Sequence, residues 1–247
     1  MKEYGDKNVV ITGGGSGIGF AMAKLLADGG ARVVITGRSQ DTLDAARKRL
    51  GGNVLAVRGD VASMADLDTL ADRVKNELGT VEALFVNAGI APTTPFETTT
   101  EETYDELFAI NVKGAHYTVQ KLAPLLSPGA GVVLVTSIAN VIGMLDTSVY
   151  AAGKAAVRSM ARSFSRELLP RGIRVNAVSP GPIDTGILEN TMSAEAAAEF
   201  KAERVAVNPM RRFGTPEEVA RAAAFLAFEA TYTTGAELAV DGGTSQL

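Results

Sequence analysis

The chain has 247 residues, of which 46% are hydrophobic and 21% charged, and a formal net charge of −4 at neutral pH. This is ordinary globular usage: it argues against a disordered chain, the apolar runs are too short to span a bilayer, and no block of Lys or Arg offers a footprint for nucleic acid or an anionic membrane. With no cysteine and one histidine, His116, disulfides, thiolate nucleophiles and the usual zinc ligand sets are excluded.

Met1 to Asp6 is polar and short and lacks the apolar core of a secretory signal, so a cytoplasmic location is expected. Short β-branched runs then alternate with helical patterns. The strand Asn8 to Thr12 is followed by a helix from Ile18 to Asp28, the strand Arg32 to Thr36 by a helix from Asp41 to Leu50, and the strand Val54 to Arg58 by a helix from Met64 to Leu78. Next come Ala83 to Val86, a helix from Glu101 to Leu126, the strand Val132 to Thr136, a helix from Ser148 to Leu169, the strand Arg174 to Val178, and a last strand from Glu237 to Val240. Runs such as Arg32-Val33-Val34-Ile35-Thr36 read as strands buried on both faces, which a parallel sheet covered by helices requires. The expected fold is α/β: a Rossmann-like, doubly wound, seven-stranded and mainly parallel sheet with helices on both faces. A closed eight-stranded barrel needs one strand more. No linker or repeat interrupts the series, so residues 1–247 read as a single domain. The segment from Gly181 to Arg212 has no strand character and is expected to form a mobile helical flap at about 182–212. In Thr215-Pro216-Glu217-Glu218, a capping threonine, a proline at the first helical position and a glutamate three residues on predict a capping box.

The loop after the first strand reads Thr12-Gly13-Gly14-Gly15-Ser16-Gly17-Ile18-Gly19. Its glycines permit a tight turn and close approach of backbone to a pyrophosphate, and the next helix offers free N–H groups at its N-terminus. The spacing Gly13 to Gly17 to Gly19 differs from GxGxxG, but coming after an apolar strand and at the first crossover the loop is expected to bind phosphate; no Gly-Lys-Ser/Thr follows, which disfavours a nucleotide triphosphatase. A carboxylate about 20 positions on would bond a ribose 2′-hydroxyl. This chain instead has Thr36-Gly37-Arg38-Ser39, where Arg38 can pair with a 2′-phosphate and Ser39 can add a donor. NADP(H) is therefore the preferred cofactor, with NAD(H) as the alternative.

The helix opening near Ser148 carries Tyr150 and Lys154, four residues apart and so on one face. A phenol titrates near ~10 and exchanges protons poorly at neutral pH unless a cation stabilises its anion, which Lys154 can do.

Taken with Asp60-Val61 after the third strand, Asn87-Ala88-Gly89 after the fourth, Asn111, Ser137 after the fifth and Pro180-Gly181 after the sixth, the series resembles the short-chain dehydrogenase/reductase family in its one-domain form, along nearly the whole chain. One departure is Val86, where many relatives have a second asparagine before Asn87. The resemblance implies that Tyr150 is the general acid/base between a ketone and a secondary alcohol, that Lys154 lowers its pKa and bonds the nicotinamide ribose, and that Ser137 holds the substrate oxygen. It assigns Asn111 to a water-mediated proton path reaching Lys154. Further cofactor contacts follow by the same carry-over: Gly13, Gly15, Ser16, Gly17, Ile18 and Gly19 at the phosphates, Asp60 and Val61 at the adenine, Asn87, Ala88 and Gly89 at the ribose, and Pro180, Gly181, Ile183 and Thr185 toward the nicotinamide. His116 lies off the Asn111 face and is expected to be structural.

Residues expected around the reacting carbonyl are mostly apolar: Ala91, Pro92, Ile138, Val141, Met144, Leu145, Ile187, Leu188 and Met192, beside Ser137 and Tyr150. They suggest a ketone with hydrophobic substituents, reduced by an NADPH-dependent enzyme that also runs as an alcohol dehydrogenase. Three competing functions stay open. A 3-oxoacyl thioester on an acidic carrier would need a basic patch, for which Arg171, Arg204, Arg211 and Arg212 are candidates. An NAD-linked dehydrogenase of a polyol or sugar is the second, and a non-catalytic nucleotide sensor the third. The family resemblance also suggests a homotetramer, with the helices from Glu101 and Ser148 meeting their symmetry mates through Ala151, Ala152, Gly153, Ala155 and Ala156.

Overall fold

The computed structural model describes residues 3–186, 188 and 193–247. Seven strands are present among them: β1 (Asn8–Thr12), β2 (Arg32–Gly37), β3 (Val54–Arg58), β4 (Val81–Val86), β5 (Leu126–Val135), β6 (Arg174–Pro180) and β7 (Glu237–Val240). They form one sheet in the order β3-β2-β1-β4-β5-β6-β7, with every neighbouring pair parallel. The strand order reverses between β1 and β4, which opens a crevice beyond their C-terminal ends. The doubly wound parallel sheet read from the sequence is the fold observed.

Alternation along the strands divides the core into two layers. Val9, Ile11, Ile35 and Phe85 face α1 (Gly17–Asp28), α2 (Gln40–Leu50) and α8 (Pro216–Ala224), packing with Met22, Leu26, Leu43, Val219 and Ala223. Val10, Val34, Leu84 and Leu134 face the other way, onto α3 (Met64–Leu78), α5 (Gly114–Leu122) and α6 (Ser148–Leu168), packing with Leu67, Leu70, Leu122, Val157 and Ala161. Each fully buried aliphatic side chain contributes roughly 1.5–3 kcal/mol, so the sheet is a rigid platform for the loops at its C-terminal edge.

The larger differences from the sequence reading lie around β4 and β5. β4 begins at Val81, and β5 begins at Leu126 with a register shift against β4 between Val81 and Ala83. The helix expected from Glu101 to Leu126 is broken into α4 (Glu101–Phe108), a π turn (Ala109–Lys113), α5, and a 3₁₀ turn (Ala123–Leu125) containing Pro124. Proline cannot continue α-helical bonding, which ends the run. Between Gly181 and Arg212 the described residues hold α7 (Ala194–Val207), capped by Ser193, whose Oγ accepts from the Ala196 N–H at 3.2 Å. A lone parallel bridge joins Ile183 to Gly214. The capping box is formed: Thr215 Oγ1 accepts from the Glu218 N–H at 3.3 Å, and Glu218 accepts from the Thr215 N–H at 2.8 Å. Among the described residues no helix is long and apolar enough to cross a membrane.

Candidate active site

The glycine turn is stapled to the end of β4. Thr12 Oγ1 accepts from the backbone N–H groups of Asn87 (3.0 Å) and Ala88 (3.1 Å), while Asn87 Nδ2 donates to the carbonyls of Thr12 (3.0 Å) and Gly13 (3.2 Å). Two glycines are required by this geometry. Gly13 has φ +67°, and a Cβ on Gly19 would lie 2.2 Å from the Gly13 carbonyl oxygen, closer than any real contact. Ser16, at the N-cap of α1, makes no side-chain capping bond, which leaves the first N–H groups of the helix facing the turn for a ligand.

Three adjoining cavities run from this turn along the sheet edge. The first, about 280 Å³, is lined by Gly13, Gly15, Ser16, Arg38, Ser39, Asp60, Val61, Ala88 and Gly89. The second, about 300 Å³, adds Gly17, Ile18, Asn87 and Thr185. The third, about 740 Å³, carries Ile18 and Thr185 on to Ala91, Pro92, Ser137, Tyr150, Lys154, Pro180, Gly181 and Ile183. Shared walls make them one elongated cleft. Of the residues expected to contact a cofactor, Gly19 alone lies beneath the cleft surface, buried under Gly13. At the far end Arg38 is exposed, its carbonyl accepting from Arg58 Nε at 3.1 Å, and Ser39 Oγ caps α2 by accepting from the Thr42 N–H at 3.2 Å. The acidic residue of this cavity wall, Asp60, is occupied in its own turn, with Oδ1 accepting from the Ala62 N–H at 2.9 Å.

At the other end, Ser137 caps the 3₁₀ turn Ile138–Asn140, its Oγ accepting from the Ala139 N–H at 3.2 Å, and lines the same cavities as Tyr150. One turn further along α6, Lys154 is buried, and its Nζ donates to the Val135 carbonyl at 2.9 Å and lies 5.7 Å from the centroid of the Tyr150 ring. Asn111 sits in the π turn between α4 and α5, a distortion that recurs at functional sites. Its amide clamps Ile90, donating to the carbonyl and accepting from the N–H, both at 2.8 Å. A Cβ on Gly89 would fall 3.0 Å from Asn111 Oδ1 and 3.6 Å from Lys154 Nζ, so Gly89 lets these two groups converge.

Burial sets the titration of this pair. Desolvation pulls the Lys154 ammonium down from its usual value to about 8. It pushes the Tyr150 phenol up, with the Ser137 hydrogen bond offsetting part of the rise. The expectation that Lys154 lowers the phenol is therefore not the governing effect here. Tyr150 is a neutral phenol at neutral pH.

Behind Ser137 lies a polar network that no local sequence pattern marks. Glu237 Oε1 accepts from Thr136 Oγ1 (2.6 Å) and Asn140 Nδ2 (2.9 Å), and Asn140 Nδ2 also donates to the Ser137 carbonyl at 2.6 Å. Glu237 Oε2 pairs with Arg158 Nε at 3.2 Å. His116 packs edge-on to Tyr117 and tilted against Phe164, outside the cleft, in agreement with a structural role.

A further cavity of about 240 Å³ opens from Ser137, Tyr150, Gly181 and Ile183. Ile138, Met144 and Leu188 line it as expected. Val141 and Leu145 do not: they are 61% and 91% exposed. The 3₁₀ turn buries Ile138 and Ala139, which sends Val141 to solvent, and Leu145 precedes Asp146, whose φ of +56° turns the loop outward. Ile187 and Met192 lie outside the described residues. The wall also contains Ile142, Phe200, Arg204, Val207, Phe213 and Thr244, none of them expected around the carbonyl. The signal available in the sequence was the spacing of Phe200, Arg204 and Val207, which places them on one face of α7.

The chain matches the family described as enoyl-(acyl carrier protein) reductase over residues 13–245. It is 42% identical to oxidoreductase asL5 of Sarocladium schorii, over 98% of this chain and 96% of that protein. It is 38% identical to the cis-4-hydroxycyclohexanecarboxylate dehydrogenase of Sinomonas cyclohexanicum, covering 98% of each, and 36% identical to the L-fucose dehydrogenase of Mus musculus, over 98% and 90%. Among solved structures, a short-chain dehydrogenase/reductase double mutant from Serratia marcescens superposes with a TM-score of 0.89 at 31% identity, covering 98% and 99% of the two chains.

Proposed function

The chain belongs to the short-chain dehydrogenase/reductase family, nicotinamide-dependent oxidoreductases of alcohol and carbonyl substrates, and from that premise we propose that it is an NADPH-dependent ketone reductase, running in reverse as an alcohol dehydrogenase. The observation that carries this reading is the position of the Tyr150 hydroxyl. It lies beside Ser137, is backed by Lys154, and is open both to the elongated cleft and to the apolar cavity.

The cleft fits a dinucleotide: its glycine turn tolerates no Cβ at Gly19, and its wall runs from Arg38 to Tyr150. Arg38 and Ser39 would hold a 2′-phosphate, Gly13 to Ile18 the pyrophosphate, Asp60 and Val61 the adenine, and Asn87, Ala88, Gly89, Pro180, Gly181, Ile183 and Thr185 the nicotinamide half. When bound, the reduced nicotinamide supplies a hydride to the substrate's carbonyl carbon. Tyr150 gives its phenolic proton to the carbonyl oxygen as negative charge develops there. Ser137 donates a hydrogen bond to the same oxygen and fixes its direction. Lys154 stabilises the tyrosinate left behind, and Asn111 positions water that returns a proton through Lys154.

The segment 182–212 would cover the substrate as a flap on a single domain of residues 1–247, and Ile138, Met144 and Leu188 would meet the substrate's apolar body. In keeping with the family resemblance, the assembly is a homotetramer in the cytoplasm. Ala152 and Ala155 are exposed on α6 and available to a symmetry mate, whereas Gly153 is used within the chain against Leu107 and Val112. A carrier-linked substrate is disfavoured because three of the four basic candidates are engaged within the chain: Arg171 is bonded to the Ala123 carbonyl at 2.7 Å, Arg211 to the Ala206 carbonyl, and Arg212 to Glu218 at 2.6 Å. Following oxidation of NADPH and of NADH against ketones, 3-oxoacyl thioesters and sugars tests the reading. The expected result is fastest turnover, with NADPH, of a ketone that carries an apolar body; turnover of sugars alone with NADH would overturn it.

A further inference from the structure

Among the described residues lining the apolar cavity, Arg204 is the one charged side chain. It is half-buried, and among the described residues its guanidinium forms no ion pair or hydrogen bond; it stacks instead over the Phe200 ring, 5.0 Å from the centroid. Among the described residues of the flanking segments, Asp184 is engaged with Lys201 at 2.9 Å and Glu218 with Arg212 at 2.6 Å. A half-buried cation in an apolar wall, with no counter-charge among the described residues, has given up part of its hydration, and a planar guanidinium fork is shaped to recover it from a carboxylate. Stacking on Phe200 holds the fork in place. The same cavity is lined by Ser137 and Tyr150, and Ile142, Val207 and Phe213 make up apolar parts of its wall.

Resting on the reductase reading above, we infer that the substrate is an oxo acid: a ketone whose carbonyl oxygen meets Ser137 and Tyr150 and whose carboxylate, separated from it by an apolar body, pairs with Arg204. The reaction balances as a simple reduction. The carbonyl carbon accepts hydride from the reduced nicotinamide, the oxygen takes the Tyr150 proton, and the products are a hydroxy acid and the oxidised cofactor.

The test uses a series of methyl-ketone acids with lengthening methylene spacers, each beside its methyl ester, with NADPH and with NADH. At the best spacer the acid is expected to exceed the ester in kcat/KM by about 10–100-fold, the scale of a hydrogen bond to a charged group, and chiefly through KM. That ratio falls close to unity in Arg204→Met and is partly kept in Arg204→Lys, which preserves the charge without the fork. If wild-type protein reduces acids and esters equally at every spacer, or if Arg204→Met leaves the ratio intact, the inference is overturned and the reductase reading stands. If no ketone, acid or ester is reduced with either cofactor, the reductase reading fails and takes this inference with it.

Discussion

Replacing Glu237 by Ala tests whether the network behind Ser137 is a structural support of the site. Glu237 and Arg158 are 15% and 14% exposed and 3.2 Å apart, and burial alone depresses the arginine's pKa, an effect that Glu237 opposes. Removing one partner of a fully buried pair costs about 3–5 kcal/mol because the other charge is stranded. Partial exposure and the remaining bond from Arg158 to the Gly235 carbonyl, 3.1 Å, place this case nearer about 2–3 kcal/mol. The hydroxyl of Thr136 keeps the Val178 carbonyl and Asn140 keeps the Ser137 carbonyl, so neither is orphaned by the change. Urea unfolding of wild type, Glu237→Ala, Arg158→Met and the double variant at one protein concentration measures the pair's coupling, expected at about 1–2 kcal/mol. Turnover of Glu237→Ala is expected to fall by roughly 10-fold, since loosening the turn that carries Ser137 misplaces the substrate oxygen. A cost below about 0.5 kcal/mol with additive single variants would refute the reasoning, because it would put this pair among uncoupled surface charges.

Arg38→Asp is expected to weaken NADPH binding by about 100-fold or more and to turn preference toward NADH, measured by fluorescence titration, since a charge-assisted pair is replaced by repulsion. Unchanged NADPH affinity would reject the assignment of Arg38. For Lys154 the sign follows from a folded pKa of about 8, below the ordinary 10.5. Between those values the unfolded chain binds more protons than the folded one, so this residue's destabilising contribution is full below pH 8 and is relieved as pH rises toward 10.5. Wild type should therefore gain stability relative to Lys154→Met across that window, by on the order of 3 kcal/mol in urea unfolding. A flat difference would contradict the buried ammonium.

The sheet was legible because its strands are apolar on both faces and recur between helices, as in Val33 to Ile35, and the glycine turn was legible because its place after β1 leaves few other uses. Element ends were less so. The π turn at Asn111 and the pairing of Val81 with Leu126 depend on contacts between segments far apart in the chain, which local periodicity does not report. The same holds for the site. Ser137, Tyr150 and Lys154 follow one another along β5 and α6, whereas Glu237 reaches Thr136 across 101 positions and has no local mark. Val141 and Leu145 were expected in the substrate wall on hydrophobicity alone, but a 3₁₀ turn and a left-handed backbone at Asp146 carry them outward. Phe200 and Val207 were hidden, and Arg204 was named only as a contact for an acidic carrier, because the sequence does not show that the fold brings this helix to the cavity beside Ser137.

The decisive measurement is turnover and cofactor binding of Tyr150→Phe side by side. The phenol lies beside Ser137, is backed by Lys154 and is shared by both cavities. The variant is expected to bind NADPH within about threefold of wild type while kcat drops by about 10²–10⁴-fold, the usual worth of a positioned proton donor. Undiminished ketone reduction by that variant would contradict the account.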